Sequence, residues 1–484
     1  MSVKFRGGPT WARTRDLLIM SCTSDFEEKN IDPNRLQQIS PATLLNPIIY
    51  EMASHNMYRS WSHNNHLMQD IVVYPSDVPG MQRYDLSDDV GASSWNAYYR
   101  WLKNARDMEY EAVKVADPNY EAMALTLKAW ITSNLTDLFG DVPYFEASKG
   151  EEKVLYPEFD SQEKIYDSIL ADLERANSLY DLNRKLLYNP DILYIDSKTY
   201  WDDWQKFTNS LHLRLLLRIS NKENKNAYQR MLTILNDPDK YPIINDVKSQ
   251  ANLKITGVTP NISPWSRIQD FTLSRKMASF FIDNLNDFND PRLPLYATEA
   301  YRVEGKNKVY IGYKGIPSAF DGSDSQFDYE ASTLNNVMAA NPTEAPILTY
   351  AEVLFIKAEL AQKGYLSDAK SYYEQAVKEA ITSKGLEMPT NYFTLESTRY
   401  NGTLERIMLQ KYYALYMNDY QQWFEYKRTG YPKLPKTESM LNDGNMPNRF
   451  PYPINIRTQN KGNYEKKVAE MGGDNINYKM WWQN

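Results

Sequence analysis

The stretch "TYAEVLFIKAELAQKGYLSDAKSYYEQAVKEAITSK" (residues 349–384) reads as two helices and the turn between them. Its apolar residues recur with helical spacing over 349–363 and again over 366–384, and Gly364-Tyr365 separates the two runs. In the second run Ala369, Tyr373 and Ala376 alternate small, large and small, the pattern that lets one helix nest against another. The same period appears elsewhere. In 121–139, Met123, Leu127, Trp130, Ile131, Leu135 and Leu138 share a face; Gly140 ends the run and Pro143 prevents its resumption. Ile165, Ile169, Leu173 and Ala176 repeat it in 162–180. In 201–219, Trp204, Phe207, Leu211, Leu215 and Ile219 line one side while Leu213, Leu216 and Leu217 fill another, which predicts a mostly buried helix. A further helix is expected over 403–427. The fold class is mostly α.

The pair at 349–384 has tetratricopeptide character, and helix pairs of that kind build scaffolds and docking surfaces more often than catalytic centres. Between the helices run long stretches rich in Asn, Asp, Pro, Ser, Tyr and Trp: 56–95, 237–275, 296–345 and 428–475. Loops this long in a compact protein are usually functional or disordered, and their aromatic content argues against disorder.

The chain has 484 residues, 42% of them hydrophobic, enough for a large core. Its length is a soft prior for about three domains, but no Gly/Ser linker or charge block divides it, so one large domain with irregular insertions is preferred. A net charge of −7 with dispersed basic residues argues against a nucleic-acid partner. No run of about 18 apolar residues spans a membrane. The 37 Tyr, 16 Phe and 11 Trp are the unusual entry in the composition, since Tyr and Trp pair an apolar face with a polar handle. The single cysteine, Cys22, can form neither an internal disulfide nor a structural zinc site. Ile19-Met20-Ser21-Cys22 has the shape of a bacterial lipobox, with Lys4, Arg13 and Arg15 as a basic leader, although the continuous apolar run of Leu17 to Met20 is short for a signal.

Catalytic and metal signatures are weak. His63 and His66 stand at i, i+3 without a third His or Cys nearby, so an exposed polar loop or helix start is the preferred reading. Asp321, Asp324 and Asp328 offer oxygen donors to Ca²⁺, but not at EF-hand spacing, and a solvated loop is preferred there. No metal site or cofactor is predicted otherwise. Adjacent acids such as Asp88-Asp89, Glu27-Glu28 and Glu151-Glu152 say nothing about two carboxyls facing across a glycosidic bond. Neither a nucleophile elbow, nor a phosphate-binding loop, nor a zinc-protease motif is present. No enzyme is expected. Sugar binding requires flat aromatic faces beside groups that bond hydroxyls. Three stretches offer that mixture: "YRSWSHNNH" (58–66), "YPSDVPGMQRYDLSDDVGASSWNAYYRW" (74–101) and "NISPWSRIQD" (261–270). They nominate Trp61, Tyr84, Trp95 and Trp265, with Arg267 and Asp270, as ligand-binding residues. Trp101, Trp130, Trp204 and Trp423 lie in helical patterns and are assigned to the core.

The motifs, taken in order, carry a resemblance. "CTSDFEEKNIDPN" (22–34), "NLTDLFGDVPYFEA" (134–147), "WQKFTNSLHLRLLLRIS" (204–220), "NDPRLPLYA" (289–297), "APILTYAEVLFIKAELA" (345–361), "IMLQKYYALYMNDYQQWFEYKRTGYPKL" (407–434), "PNRFPYP" (447–453), Asn460 and "MWW" (480–482) are similar to segments of the SusD/RagB-like outer-membrane lipoproteins of Bacteroidetes. The resemblance implies tetratricopeptide-like helices as scaffold and a loop-rich portion that binds ligand. It implies lipidation at Cys22, with 1–21 as an atypical signal peptide, 22–40 as a tether and 41–484 as a single domain. It also implies a cell-surface, lipid-anchored lid on a SusC-like TonB-dependent transporter that captures nutrients, usually glycans, without catalysis. Two acyl chains would make such an anchor durable where one holds only marginally. The alternatives are a tetratricopeptide-type interaction scaffold and a binder of peptides.

Overall fold

A computed structural model describes residues 40–75, 80–265, 267–318, 320 and 326–483. Cys22, the expected signal segment and the tether up to residue 39 lie outside the described residues, as do Asp321 and Asp324. Helices of eight residues or more are numbered in chain order: α1 Pro41–Arg59, α2 Ala92–Lys114, α3 Pro118–Phe139, α4 Gln162–Leu179, α5 Tyr200–Arg218, α6 Ala227–Asn236, α7 Ser279–Asp287, α8 Tyr350–Gln362, α9 Ala369–Thr382, α10 Leu404–Ala414, α11 Gln421–Thr429 and α12 Lys461–Met471.

Local chemistry sets the ends of these helices. The Asp117 carboxylate accepts from the backbone N–H groups of Asn119 and Tyr120, and Pro118 occupies the first turn, so α3 starts there. It stops at Gly140, whose φ of +82° suits glycine and whose N–H bonds Thr136 O at 2.8 Å. Nearly all of α3 is buried, because α2, α4 and α5 pack around it. Thr349 caps α8 by accepting from Glu352 N. α9 then lays Tyr373, Ala376, Val377 and Ile381 against α8, as the small-large-small pattern requires.

Two helix groups meet at α5, which touches α8 and α11. The contact is sealed by buried ions as well as by Leu and Trp. Arg214 on α5 donates to both Glu352 oxygens on α8 (2.6 and 2.5 Å). Arg428 on α11 donates to both oxygens of Glu359, two turns further along α8 (2.7 and 2.6 Å). Glu425 joins Arg428 to Lys411 of α10. Each desolvated charge here is repaid by a close, forked partner.

The expected helix over 403–427 is in fact two. Met417 (φ +65°) and Asp419 (φ +37°) turn the chain between α10 and α11, and the apolar pattern runs on through that turn because its side chains are also buried. The stretch 56–95 is less loop-like than expected: α1 continues into a π-helical turn at Ser60–Asn64 and a short helix at Asn65–Leu67. His63 and His66 are therefore buried, not exposed.

Strands are short and antiparallel. β1 Ile71–Val73 pairs with β3 Arg275–Met277, β2 Ala251–Ile255 with β6 Thr343–Leu348, and β4 Tyr301–Glu304 with β5 Asn307–Tyr310. The β4–β5 hairpin turns at Gly305, φ +64°. Residues Pro41–Asn484 form one compact unit. Its main core takes in Trp61, Trp130, Trp204, Trp423 and Trp482, and a smaller cluster comprises Val72, Tyr74, Ala278, Ile316, Phe320 and Ala331. No helix of the described residues is long and apolar enough to cross a membrane.

Candidate functional site

The β1–β3 ladder separates the two clusters. Side chains alternate across a strand, so the Ile71↔Met277 pair enters the main core while Val72 and Ala278 face the smaller one. The same alternation splits two neighbouring cations. Arg275, opposite Val73, turns toward the main core and lays its guanidinium 3.8 Å from the centroid of the Trp61 ring. Lys276, opposite Val72, turns the other way and pairs with Glu330 at 3.3 Å.

Beside the end of this ladder lies a cavity of about 640 Å³. Tyr74, Phe327 and Tyr329 supply aromatic walls; Arg275, Lys276, Asp328 and Glu330 supply charge; Thr272, Ser274 and Thr333 supply smaller polar groups. The walls are held from behind. Phe327 packs on Tyr74, Phe320 and Tyr329 with ring centroids 5.5–6.1 Å apart. The Tyr329 hydroxyl donates to Gly315 O at 2.9 Å, and Lys314 Nζ sits 4.0 Å over its ring. Ser274 takes a left-handed φ of +52°, rare for serine, and its carbonyl accepts from Tyr74 N at 3.0 Å. The Thr333 hydroxyl donates to Arg275 O at 2.6 Å. Both carboxylates in the wall are already paired, Asp328 with Arg302 at 3.1 Å and Glu330 with Lys276.

Arg275 is the exception. Nη1 donates to Leu273 O at 2.9 Å, Nε is buried without a partner, and no carboxylate lies within salt-bridge distance among the described residues. Burial pulls its pKa below the ordinary arginine value, offset only in part by the Tyr58 phenol. Nearby His66 stays neutral, pushed down to about 3 by burial and then by the Arg275 charge.

A second cavity, about 660 Å³, lies between residues 192–199 and 246–254. Its one aromatic ring, Tyr194, is buried and spends its hydroxyl on Ser249 O. It lacks the mixture of ring faces and polar groups found in the first.

Of the residues nominated from sequence, the structure brings Trp61 and Trp265 together but behind the cavity wall. Their centroids are 5.8 Å apart, Phe271 packs on both, and Trp61 Nε1 donates to Phe271 O at 3.0 Å. Arg267 and Asp270 form an exposed ion pair (2.6 Å) at the adjoining short helix Ile268–Thr272. Tyr84 is elsewhere, with φ +63° and its hydroxyl accepting from Gln69. Trp95 lies on α2, wedged against Tyr99, Phe139 and Tyr452. Trp61, Tyr84, Trp95 and Trp265 are each 5% exposed or less, which corrects their reading as ligand-facing rings: their apolar faces are spent on core packing. The sequence patterns do not single out Phe327, Tyr329 or Arg275. "QFDYE" (326–330) sets aromatics among acids, a composition that fits a solvated or Ca²⁺-binding loop as well as a ring-lined wall. Of Asp321, Asp324 and Asp328, the last alone is described, and Arg302 holds it. No group of three or more His, Cys, Asp or Glu is placed to hold a metal ion among the described residues.

A family model for SusD-like proteins, described as starch-binding and associating with the outer membrane, matches residues 33–453. No curated protein matches the sequence. Solved structures match its fold. A SusD homologue from Bacteroides fragilis superposes with a TM-score of 0.77 at 24% identity, covering 92% of this chain and 100% of its own. A chitin-binding protein superposes at 0.76 and 21% identity with the same coverage. A SusD-like protein from Bacteroides thetaiotaomicron gives 0.72 at 21% identity, over 90% of this chain and 99% of that one.

Proposed function

Because the chain belongs to the SusD-like family of starch-binding proteins associated with the outer membrane, we propose that it captures oligosaccharides at the cell surface in the Tyr74–Arg275–Phe327–Tyr329 cavity. The observation that carries this is the wall itself: ring faces for the C–H surfaces of a sugar, set among guanidinium, carboxylate and hydroxyl groups for its hydroxyls. The chitin-binding neighbour supports a glycan as the ligand class. In this reading Cys22 carries the lipid anchor, and the protein serves as a lid that passes its cargo to a SusC-like TonB-dependent transporter. It performs no catalysis. Asp328 and Glu330, the carboxylates of the described wall, are each paired with a cation.

Calorimetry of the protein against a panel of neutral and acidic oligosaccharides tests the site. Phe327→Ala and Tyr329→Ala should each weaken binding about tenfold or more, in line with about 1–3 kcal/mol for a lost stacking face, with little change in melting temperature. Binding that survives both substitutions unchanged would place the site elsewhere.

A further inference from the structure

We propose that this cavity selects a sugar bearing a carboxylate, a uronic acid residue, and that Arg275 is the group that recognises it. The proposal rests on the reading of the cavity as the glycan site and adds the chemical class of its ligand.

The argument is one of charge pairing inside one wall. Lys276 has Glu330 and Arg302 has Asp328, so those four groups cancel in two pairs. Arg275 lines the same cavity and has no carboxylate partner among the described residues. The groups against it are the Trp61 ring, the neutral His66 imidazole, Tyr58 and the Leu273 carbonyl, none of them anionic. A partly buried guanidinium without a counter-ion is costly to keep, and the protein's fully buried arginines at 214, 218, 292, 428 and 449 each have a carboxylate partner. Nη1 and the ring stacking fix the plane of the guanidinium, and Nη2 makes no bond to any described residue. A fixed, planar donor beside aromatic walls matches a planar carboxylate on a pyranose ring better than it matches a hydroxyl. The net charge of −7 on the chain repels polyanions in general, which makes an unpaired cation inside the cavity a selective feature and not part of a basic surface.

The test compares each acidic oligosaccharide with its own carboxyl-reduced form, in which the carboxylate becomes a hydroxymethyl group and the linkage is kept. Oligogalacturonate, oligoalginate and glucuronoxylan fragments serve as probes, titrated into the full-length protein. One of the acidic probes should bind about tenfold or more tightly than its reduced form at low salt, as a charge-assisted bond implies, and the ratio should shrink as salt is raised. Arg275→Gln should bring that ratio close to one, while Arg275→Lys should retain part of it. Should Arg275→Gln lower stability through loss of the Trp61 stack, the comparison of the two ligand forms on the unaltered protein still decides. Equal affinity for acidic and reduced forms would overturn the proposal and leave glycan capture standing. An acidic preference that survives Arg275→Gln would overturn the role of Arg275. Absence of binding to every glycan, neutral or acidic, would overturn the functional reading along with it.

Discussion

Replacing Trp61 by Ala separates a residue that supports the cavity from one that touches ligand. The ring is 4% exposed, stacks on Phe271, meets Trp265 edge-on, donates to Phe271 O and carries the Arg275 guanidinium on its face. Truncating a buried Trp to Ala costs about 3–5 kcal/mol through lost transfer energy and the cavity left behind. The upper end applies here, because the Arg275 contact, about 0.5–2 kcal/mol, is lost as well. At roughly 2.1 cal/mol/K per residue, a unit of roughly 440 residues has an unfolding entropy of roughly 0.9 kcal/mol/K, so the melting temperature should fall by about 5 °C or slightly more. Scanning calorimetry measures the fall, and titration at 20 °C, where the variant remains folded, measures binding. Affinity for a neutral glycan should change little. An unchanged melting temperature together with lost glycan binding would refute the reasoning, because it would mean that the ring presents a free face to ligand.

Other expectations follow from the same contacts. Glu359→Gln removes one of the two carboxylates that compensate Arg428 in a dry site, leaving Glu425 shared with Lys411, and should destabilise by about 3–5 kcal/mol, read from chemical denaturation. Gly91→Ala should cost about 1–3 kcal/mol, since its Cβ would lie 2.6 Å from the Phe139 ring with Phe450 behind. All four histidines are kept neutral by burial, His55, His66 and His212 with pKa values near 3 and His63 well below its ordinary value. The unfolded chain therefore binds more protons below about pH 6.5, and stability should fall as pH drops from there toward 3, by about 1.4 kcal/mol per pH unit for each net proton. Asp419, raised to about 6 by burial, and Asp70, Asp137 and Asp191, also raised by burial, hold protons in the folded state and oppose this trend at lower pH, so the fall should be clearest just below pH 6.5; melting temperatures between pH 7 and 4 measure the net slope.

The scaffold was legible because burial in a helix leaves a period. α3, α4, α5, α8 and α9 each carry apolar residues on a helical repeat, and α3, α4, α8 and α9 each have an end marked by a side-chain cap or a left-handed residue. The site was not legible because an aromatic ring among polar residues looks the same whether its face meets ligand or core. Around Trp61 the polar neighbours are themselves buried: Asn64 bonds Gln422 and the Trp423 backbone, and His63 bonds Tyr420, so the polar setting reports a packed layer and not a wet surface. The cavity walls come from residues 74–75, 272–276, 303 and 327–333, far apart in the chain. They are joined by the β1–β3 ladder and by Met277 N bonding Ser332 O, and no local pattern encodes either contact.

That ladder also determines which cation is left unpaired. Its register puts Ile71 opposite Met277 and Val73 opposite Arg275 on the main-core face, and Val72 opposite Lys276 on the other. Because side chains alternate with a period of two, a slip of one residue would exchange the faces. Lys276 would then stand over Trp61, and Arg275 would meet Glu330 and be neutralised. The slip is opposed by burial, since it would also drive Val72 and Ala278 out of the smaller cluster and Ile71 and Met277 out of the main core. Two clusters of apolar side chains, packed for stability on opposite faces of a three-residue strand pair, thus fix a guanidinium on an indole in the cavity wall, while the described carboxylates of that wall are held by other cations. The charge available to a ligand is set by strand register, a property of the whole local fold, and not by the presence of Arg275 alone.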